Sequence, residues 1–392
     1  MILSPNKIKT NSEKQIIEKA LKSKSFEKFA SDSKKLLVIV NDATRPTPTA
    51  KILEYLQPVL SKHPDVKFLI AAGTHRAPTE QEMRFIFGKT YEGFKKQIFV
   101  HDAKKDENLK YYGKSKRGTE IYVNKMVPEA GNVLVINSVE PHYFAGYTGG
   151  RKSFLPGVAG FKTIEMNHKF ALNNKACTLA LKNNPVHEDM NEMTDFLKNI
   201  NIFSIQIVLT SDHKIYAITT GDLKETFDKA IKHANKVFCV QLKQKGNIVL
   251  TAAPYPMDLD LYQSQKALDN GKLALEDEGI IILVSKCRDG VGDPSFLDML
   301  GRADNPKKIL DILEHEYKFG AHKAAKIAEI GLRAQIWAVT DLDNSIIKKA
   351  QMKPYSNIQN ALDDAVKTIK NKGKQPKIVI MPQGSLTVPY YC

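Results

Sequence analysis

Short runs of apolar, often β-branched residues recur along this chain, separated by longer stretches of mixed polarity. Eight runs have the composition of strands: LLVIV at 36–40, VKFLIAA at 66–72, NVLVINS at 132–138, FSIQIVL at 203–209, NIVLTAA at 247–253, GIIILVS at 279–285, AQIWAVT at 334–340 and KIVIMP at 377–382. Continuous apolar runs are typical of strands buried on both faces, as in parallel sheets covered by helices. Helical spacing between them predicts helices at 49–61, 188–199, 223–238, 263–275 and 358–369. The pattern therefore predicts an α/β fold with mainly parallel sheets flanked by helices.

One sheet rarely holds this many strands in a chain of 392 residues, so two domains are expected. A fresh series of strands and helices begins at Asn247. We therefore predict an N-terminal α/β domain over 1–245 and a C-terminal α/β domain over 246–392, with the ligand in a cleft between them.

The composition is that of a soluble globular protein, with 42% hydrophobic and 26% charged residues. The first residues contain no apolar signal region, and no apolar run approaches the length of a membrane span, so a cytoplasmic protein without membrane contact is expected. The cysteines lie without C-x-x-C spacing, which predicts reduced thiols rather than disulfides or a zinc site. They are Cys177, Cys239, Cys287 and Cys392.

The net charge of +15 raises the question of a nucleic-acid partner. The basic residues are mostly lysines spread along the chain, and no nucleic-acid motif accompanies them, so no such partner is expected. The chain has only eight arginines, and Arg45, Arg76 and Arg151 lie within glycine- or proline-containing motifs. Because a guanidinium pairs bidentately with carboxylate or phosphate, this placement indicates an anionic small-molecule ligand.

Polar motifs directly follow four of the predicted strands. NDATRPTP follows LLVIV, GTHRAPT follows VKFLIAA, HDAKK follows a short QIFV run, and SVEPH follows NVLVIN. Ligands of open α/β sheets bind beyond the carboxyl ends of the strands. These motifs are therefore predicted to form one rim that contains Asp42, Arg45, His75, Arg76, His101 and His142.

The segment 140–168, EPHYFAGYTGGRKSFLPGVAGFKTIEMNH, combines two histidines, an Arg-Lys pair and five glycines. Its aromatic residues need a surface to pack on, which indicates an ordered loop rather than a linker. Residues 146–153 nearly match a phosphate-binding P-loop, but Arg151 replaces the second glycine and Pro156 interrupts the helix that should follow. ATP or GTP hydrolysis is therefore not expected.

Taken together, the motifs resemble the nickel-pincer-dependent lactate racemase family of 2-hydroxyacid racemases and epimerases. The resemblance runs over about 35–266 and is carried, in order, by DATRPTP, GTHR, HDA, PHYFAGYTGGRKSFLPG with its downstream NH, NPVHEDM and PYPMDLDLYQSQK. It implies an isomerase that carries pyridinium-3,5-bisthiocarboxylic acid mononucleotide nickel, the nickel pincer nucleotide. By motif position, Lys152 would tether this cofactor covalently and His168 would be the protein ligand of Ni(II).

The resemblance also implies a mechanism. His101 and His142 match the two catalytic histidines, one of which takes the proton of the 2-hydroxyl while hydride passes to the cofactor, which leaves a 2-oxoacid intermediate. Return of hydride to the other face inverts the 2-carbon. Substrate contacts fall on Arg45, Lys266, Gln263 and Tyr262, and residues expected near the cofactor are Asp42, Thr74, His75, Gly149 and Gly150. Asp42 is alternatively the N-cap of the helix that begins near Thr49.

Some features leave the substrate open. His322 falls where a tryptophan is expected in the members closest to lactate racemase itself, so the substrate is predicted to be lactate or a more polar 2-hydroxyacid such as malate, 2-hydroxyglutarate or an aldonate. Cofactor-maturation enzymes are expected partners, and the oligomeric state is not indicated. Two alternatives remain: a zinc-dependent hydrolase that uses His101, His142 and His168, and a non-catalytic module that binds anions or nucleic acid.

Overall fold

The computed structural model describes residues 1–22 and 24–391, so Cys392 lies outside the described residues. The chain forms two compact units, of which the first is 7–237 and the second combines 1–6 with 238–392. The predicted boundary was at residue 245, whereas the division falls between Val237 and Phe238. The first residues join the second unit because Leu3 N–H donates to the Ile380 carbonyl at 2.8 Å. No helix in the described ranges is long and apolar enough to cross a membrane.

The first unit is built on a six-stranded sheet with the order β10-β9-β6-β1-β2-β3. Neighbouring strands are parallel except for β10, which pairs antiparallel with β9 at one edge. Two small antiparallel pairs, β4 with β5 and β7 with β8, lie outside this sheet. The strands are β1 (Leu36–Asn41), β2 (Val66–Ala71), β3 (Ile98–Val100), β4 (Leu109–Lys114), β5 (Glu120–Asn124), β6 (Asn132–Ser138), β7 (Pro141–His142), β8 (Gly146–Tyr147), β9 (Asn201–Leu209) and β10 (Ile215–Gly221).

Helices cover this sheet and bury its apolar strands. Phe68 on β2, for example, is fully buried and contacts the rings of Phe87 and Phe94 edge-on or tilted. The helices of this unit are α1 (Glu13–Leu21), α2 (Lys24–Asp32), α3 (Thr49–Leu60), α4 (Glu80–Phe87), α5 (Tyr91–Phe94), α6 (Met126–Ala130), α7 (Phe161–Lys169), α8 (Pro185–Asp195) and α9 (Leu223–Phe238).

The second unit has a five-stranded parallel sheet with the order β15-β14-β13-β12-β16. Its strands are β11 (Cys239–Gln241), β12 (Gly246–Ala252), β13 (Leu275–Val284), β14 (Gln335–Val339), β15 (Lys353–Tyr355), β16 (Ile378–Met381) and β17 (Val388–Tyr390). Its helices are α10 (Leu261–Gly271), α11 (Pro294–Leu300), α12 (Pro306–His315), α13 (Ala321–Gly331), α14 (Asn344–Lys349) and α15 (Ile358–Asn371). Both units therefore confirm the predicted α/β class with mainly parallel sheets.

Candidate functional site

Strands β6, β1, β2 and β3 are consecutive neighbours in the sheet of the first unit. All three pairings are parallel, so the carboxyl ends of these strands lie at one edge. The four polar motifs begin where these strands end, as the sequence predicts. The rim therefore exists as a structural feature, and its side-chain contacts decide which residues are placed for chemistry.

Hydrogen bonds tie the loops of this rim to one another. Thr47, from the loop after β1, has its hydroxyl 2.8 Å from that of Ser138 at the end of β6. Gly73, in the loop after β2, donates its N–H to the Gly157 carbonyl of the glycine-rich segment at 3.0 Å. The rim is thus one connected assembly, in which movement of one loop disturbs its neighbours.

Asp42 holds His75 in one tautomer. Its Oδ2 lies 2.6 Å from His75 Nδ1, and its Oδ1 accepts bonds from the N–H and the hydroxyl of Thr44. Burial alone would raise the pKa of Asp42, but the hydrogen bond to His75, together with the charge of Arg45 and the hydrogen bond from Thr44, holds the pKa of Asp42 below its ordinary value. Because an ionised carboxylate only accepts, Nδ1 carries the proton and Nε2 of this half-exposed ring keeps its lone pair.

The alternative role of Asp42 as a helix cap is wrong. Helix α3 has Pro48 at its N-cap and no side-chain cap. The side chain of Asp42 instead closes the turn to Thr44 and orients His75.

His101 is placed differently from His75, because both of its ring nitrogens are used inside the protein. Nε2 lies 2.9 Å from the Ala159 carbonyl and therefore donates, while Nδ1 lies 3.1 Å from the amide nitrogen of Asn124 and accepts. The Asn124 amide is itself oriented, since its oxygen accepts from Met126 N–H. The ring is only 2% exposed, and burial lowers the pKa of His101. Both ring nitrogens of His101 are thus occupied within the protein, and its role as a proton acceptor stays a prediction.

The ring of Phe144 gathers three of the predicted site residues. It meets the ring of His142 edge-on at 4.6 Å and that of His168 at 5.1 Å, and Lys152 Nζ lies 5.4 Å from its centroid. His142 also stacks on Tyr143, and its Nδ1 accepts from Ala145 N–H at 3.3 Å. The predicted proton-handling, tethering and metal-binding residues of the glycine-rich segment therefore surround one buried phenyl ring.

His168 lies near the end of α7 and is buried. Burial, and then the positive charge of Lys152, lower the pKa of His168 to about 3, so the imidazole is neutral at pH 7. A neutral imidazole is a good nickel ligand, and a lysine amine close by is what a tethered cofactor needs. On donor chemistry and placement, the pair fits the group that the sequence implies.

The glycine pair before Lys152 serves packing. A Cβ at Gly149 would lie 2.5 Å from Val139 Cγ2, and one at Gly150 would lie 3.0 Å from the Phe227 ring. Gly150 N–H also donates to Gln206 Oε1 at 3.0 Å, so this amide is not available to a phosphate. The expected place of Gly149 and Gly150 near the cofactor stays a prediction, and the Gly150 amide is already bonded within the protein.

The substrate residues predicted from the second unit lie on or beside α10 and α13. Gln263 and Lys266 are both on α10, as their spacing predicts, and Lys266 Nζ lies 3.5 Å from Met257 Sδ. Tyr262 packs inside the unit, where burial raises the pKa of its hydroxyl to about 12. His322 is 2% exposed, and its Nδ1 lies 3.3 Å from the Tyr317 hydroxyl. Their roles, and the cleft between the two halves, stay predictions.

Asn124 and Asn184 were not singled out from the sequence, and Phe144 was expected only to need a packing surface. Asn184 donates its amide to the Phe144 carbonyl at 2.8 Å, and its Oδ1 caps α8. This explains the NPVHEDM motif as a support for the glycine-rich segment. In the sequence, the role of Phe144 was indicated only by its position between His142 and Lys152. Thr74 is partly buried in its turn, and its role stays a prediction.

Among the residues that the structure describes, no group of three or more histidine, cysteine, aspartate or glutamate side chains is arranged to hold a metal ion. His101, His142 and His168 do not form such a group. In the described chain, Cys177, Cys239 and Cys287 are not joined by disulfides.

The family model described as the lactate racemase N-terminal domain matches residues 1–179, and that of the lactate racemase C-terminal domain matches residues 240–388. The lactate racemase of Thermoanaerobacterium thermosaccharolyticum is 32% identical over 388 residues, which cover 95% of this chain and 89% of that protein. The lactate racemase of Lactiplantibacillus plantarum is 29% identical over 395 residues, which cover 95% of this chain and 90% of that protein.

Solved structures give the same picture of the fold. The apoprotein structure of the Thermoanaerobacterium thermosaccharolyticum lactate racemase superposes with a TM-score of 0.90 at 31% identity, covering 99% of this chain and 94% of that chain. A Thermotoga maritima protein superposes with a TM-score of 0.71 at 16% identity, covering 97% and 98% respectively. At that identity the second likeness concerns the fold alone.

Proposed function

Because the chain belongs to the lactate racemase family, we propose that it inverts the 2-carbon of a small 2-hydroxyacid, with lactate as the first candidate substrate. The predicted family and the predicted enzyme class, an isomerase, are thereby confirmed. The observation that carries the proposal is the cluster around Phe144, which brings His142, Lys152 and His168 to one ring.

In our proposal the cofactor is the nickel pincer nucleotide, with Lys152 as the tether and His168 as the nickel ligand. The support is the neutral state of His168 and the proximity of the Lys152 amine. When bound, the cofactor would accept the hydrogen that leaves the 2-carbon together with its electron pair, which no side chain of this protein can do. The protein supplies binding, orientation and proton transfer.

For the proton, we favour His75 over the predicted His101. His75 Nε2 keeps a lone pair, and the imidazolium formed when it accepts the 2-hydroxyl proton is stabilised by Asp42 at 2.6 Å. His101 has both nitrogens bonded within the protein. His142 remains the second histidine of the pair. A racemase needs a proton acceptor for each enantiomer, and His75 and His142 would serve in turn.

Arg45 is proposed to hold the substrate carboxylate. It lies close enough to Asp42 for its charge to help keep that carboxyl ionised. An arginine beside the Asp42–His75 pair places the anchor for a carboxylate near the base for the adjacent hydroxyl. A fixed cation there also stabilises negative charge that develops on the oxygen while the 2-carbon is planar.

The case for a more polar substrate depends on His322. Its Nδ1 is engaged with the Tyr317 hydroxyl and its ring is nearly fully buried, so it offers little free hydrogen-bonding capacity. We therefore rank lactate ahead of malate, 2-hydroxyglutarate and aldonates. The zinc hydrolase and the non-catalytic module lose their basis, because the chain belongs to a family of isomerases.

The test is co-expression with the cofactor-maturation enzymes, followed by chiral chromatography of enantiopure lactate, malate, 2-hydroxyglutarate and an aldonate. We expect lactate to approach an equal mixture of enantiomers fastest. Faster inversion of malate would overturn the substrate ranking. Absence of inversion for all four, with nickel and the covalent adduct confirmed, would refute the proposed activity.

A further inference from the structure

Arg151 is a buried cation without an acidic partner. Its side chain is 2% exposed, and in the described ranges no carboxylate forms an ion pair with it. Burial lowers the pKa of Arg151 to about 9, which still leaves it charged at pH 7. A buried charge is costly unless it is hydrogen-bonded, so the groups that accept its protons indicate what the residue is for.

The guanidinium donates to three backbone carbonyls of the segment 145–149. Nη2 reaches the carbonyls of Ala145 at 2.6 Å and Tyr147 at 3.0 Å, and Nη1 reaches that of Gly149 at 3.4 Å. The guanidinium also packs over the ring of Phe227, with Cζ 4.5 Å from the ring centroid. A planar fork can gather several carbonyls while it stacks on a ring, whereas a lysine amine cannot do both.

These carbonyls belong to the backbone that joins two site residues. Strand β8, to which Tyr147 belongs, pairs with β7, and His142 is directly opposite Gly146. Arg151 itself sits one residue before Lys152, in the same short helical turn, Gly150–Ser153. The guanidinium therefore links the strand opposite His142 to the turn that carries Lys152.

We propose that Arg151 is a positioning residue, which holds the Lys152 amine beside Phe144 by clamping the carbonyls of 145–149. It acts through the backbone and touches neither substrate nor cofactor. The relevance to catalysis rests on the proposed function, but the clamp itself is a property of the protein without cofactor.

The test uses Arg151→Lys, which retains the charge but loses the fork. The control is Arg117→Lys. Arg117 is a partly exposed arginine on the β4–β5 turn, and it pairs with Glu188 of α8. Hydrogen exchange of the full-length apoprotein is followed by mass spectrometry in peptides spanning 143–150 and in β1 and β6. In Arg151→Lys we expect exchange at 143–150 to speed up about tenfold, the factor that corresponds to 1.4 kcal/mol of lost hydrogen bonding. Exchange in β1 and β6, and everywhere in the control, should stay as in the wild type.

A second readout separates positioning from packing alone. After co-expression with the maturation enzymes, the fraction of Lys152 that carries the cofactor is measured by intact-protein mass. We expect a several-fold loss in Arg151→Lys and none in the control. If exchange at 143–150 and the adduct fraction both match the wild type, or if exchange rises equally in β1 and β6, the proposal is overturned.

Phe227→Leu covers the case in which Arg151→Lys does not fold. This variant removes the stacking surface and keeps the guanidinium, so a smaller increase of exchange confined to 143–150 is expected. Unchanged exchange there would count against the clamp. A wild-type protein with a protected 143–150 segment and a confirmed nickel adduct, but no racemase activity, would refute the proposed function and leave this inference standing.

Discussion

Replacement of Asp42 by Asn tests the assignment of His75 as a proton acceptor. The carboxylate accepts the His75 Nδ1 proton at 2.6 Å with one oxygen and two bonds from Thr44 with the other. Asparagine can keep the Thr44 bonds, but it then turns an amide N–H toward His75. The ring would have to accept at Nδ1 and carry its proton on Nε2, so the lone pair proposed to act as the base would be lost.

The expected effect is large on turnover and small on binding. General base catalysis contributes about 10²–10⁴-fold, and the corresponding Asp-to-Asn change in a Ser-His-Asp triad costs about 10⁴-fold in kcat. We therefore expect kcat for lactate inversion to fall by about 10²–10⁴-fold, or about 2.7–5.5 kcal/mol of barrier. KM should change little, because Arg45 and not Asp42 is assigned to the carboxylate.

The assay is chiral chromatography of lactate with holoenzyme whose adduct is confirmed by mass. His75→Gln should lose activity as Asp42→Asn does. His101→Gln is the matched comparison, since glutamine retains a donor for the Ala159 carbonyl and should retain most of the activity. Full activity in Asp42→Asn, or an active His75→Gln beside an inactive, folded and loaded His101→Gln, would refute the assignment.

The remaining predictions concern the nickel ligand, the packing of two glycines and the stability of the protein at low pH. His168→Ala should keep the covalent adduct but lose nickel, measured by elemental analysis. Gly146→Ala places a Cβ 2.3 Å from a backbone oxygen and should destabilise by about 2–4 kcal/mol in urea unfolding. Gly118→Ala, also at positive φ but in open space, should cost about 1 kcal/mol. Hydrogen bonds from Arg76 and from the Thr79 backbone lower the pKa of Glu82 to about 2. The ionised Glu82 therefore makes a small contribution to stability above the pKa that it has in the unfolded chain, and this contribution is lost as pH falls through about 2.

Each of these outcomes has a contradicting result. Nickel retained at wild-type stoichiometry in His168→Ala would remove that residue from the metal site. Equal unfolding midpoints for the two alanine variants would mean that the close approach at Gly146 relaxes freely. For the acid effect, the stability difference between wild type and Glu82→Gln should shrink from pH 5 to pH 2, and a constant difference contradicts the pKa argument.

The fold was predictable where apolar runs are long and continuous. β1, β2 and β6 are such runs, and the rim at their carboxyl ends follows from parallel pairing. Strand β10 was not predicted, because its apolar run, 215–218, is short and most of its residues are only partly buried at the sheet edge. Residues 1–6 joined the second unit through backbone bonds that no local pattern encodes.

The site was predictable as a set of motifs but not as a set of contacts. A histidine after a strand has the same sequence appearance whether its nitrogens are free or bonded. His75 and His101 differ only through Asp42, Ala159 and Asn124, which are distant from them along the chain. The glycine pair before Lys152 likewise gave no sign in the sequence that Gly150 packs against Phe227.

The most direct measurement of the central claim is the intact-protein mass of wild type and Lys152→Ala after co-expression with the cofactor-maturation enzymes. The wild type should gain the mass of the nickel pincer nucleotide, with peptide analysis placing it on Lys152, and Lys152→Ala should keep its unmodified mass. An unmodified wild type, or an adduct that persists in Lys152→Ala, would contradict the proposed site.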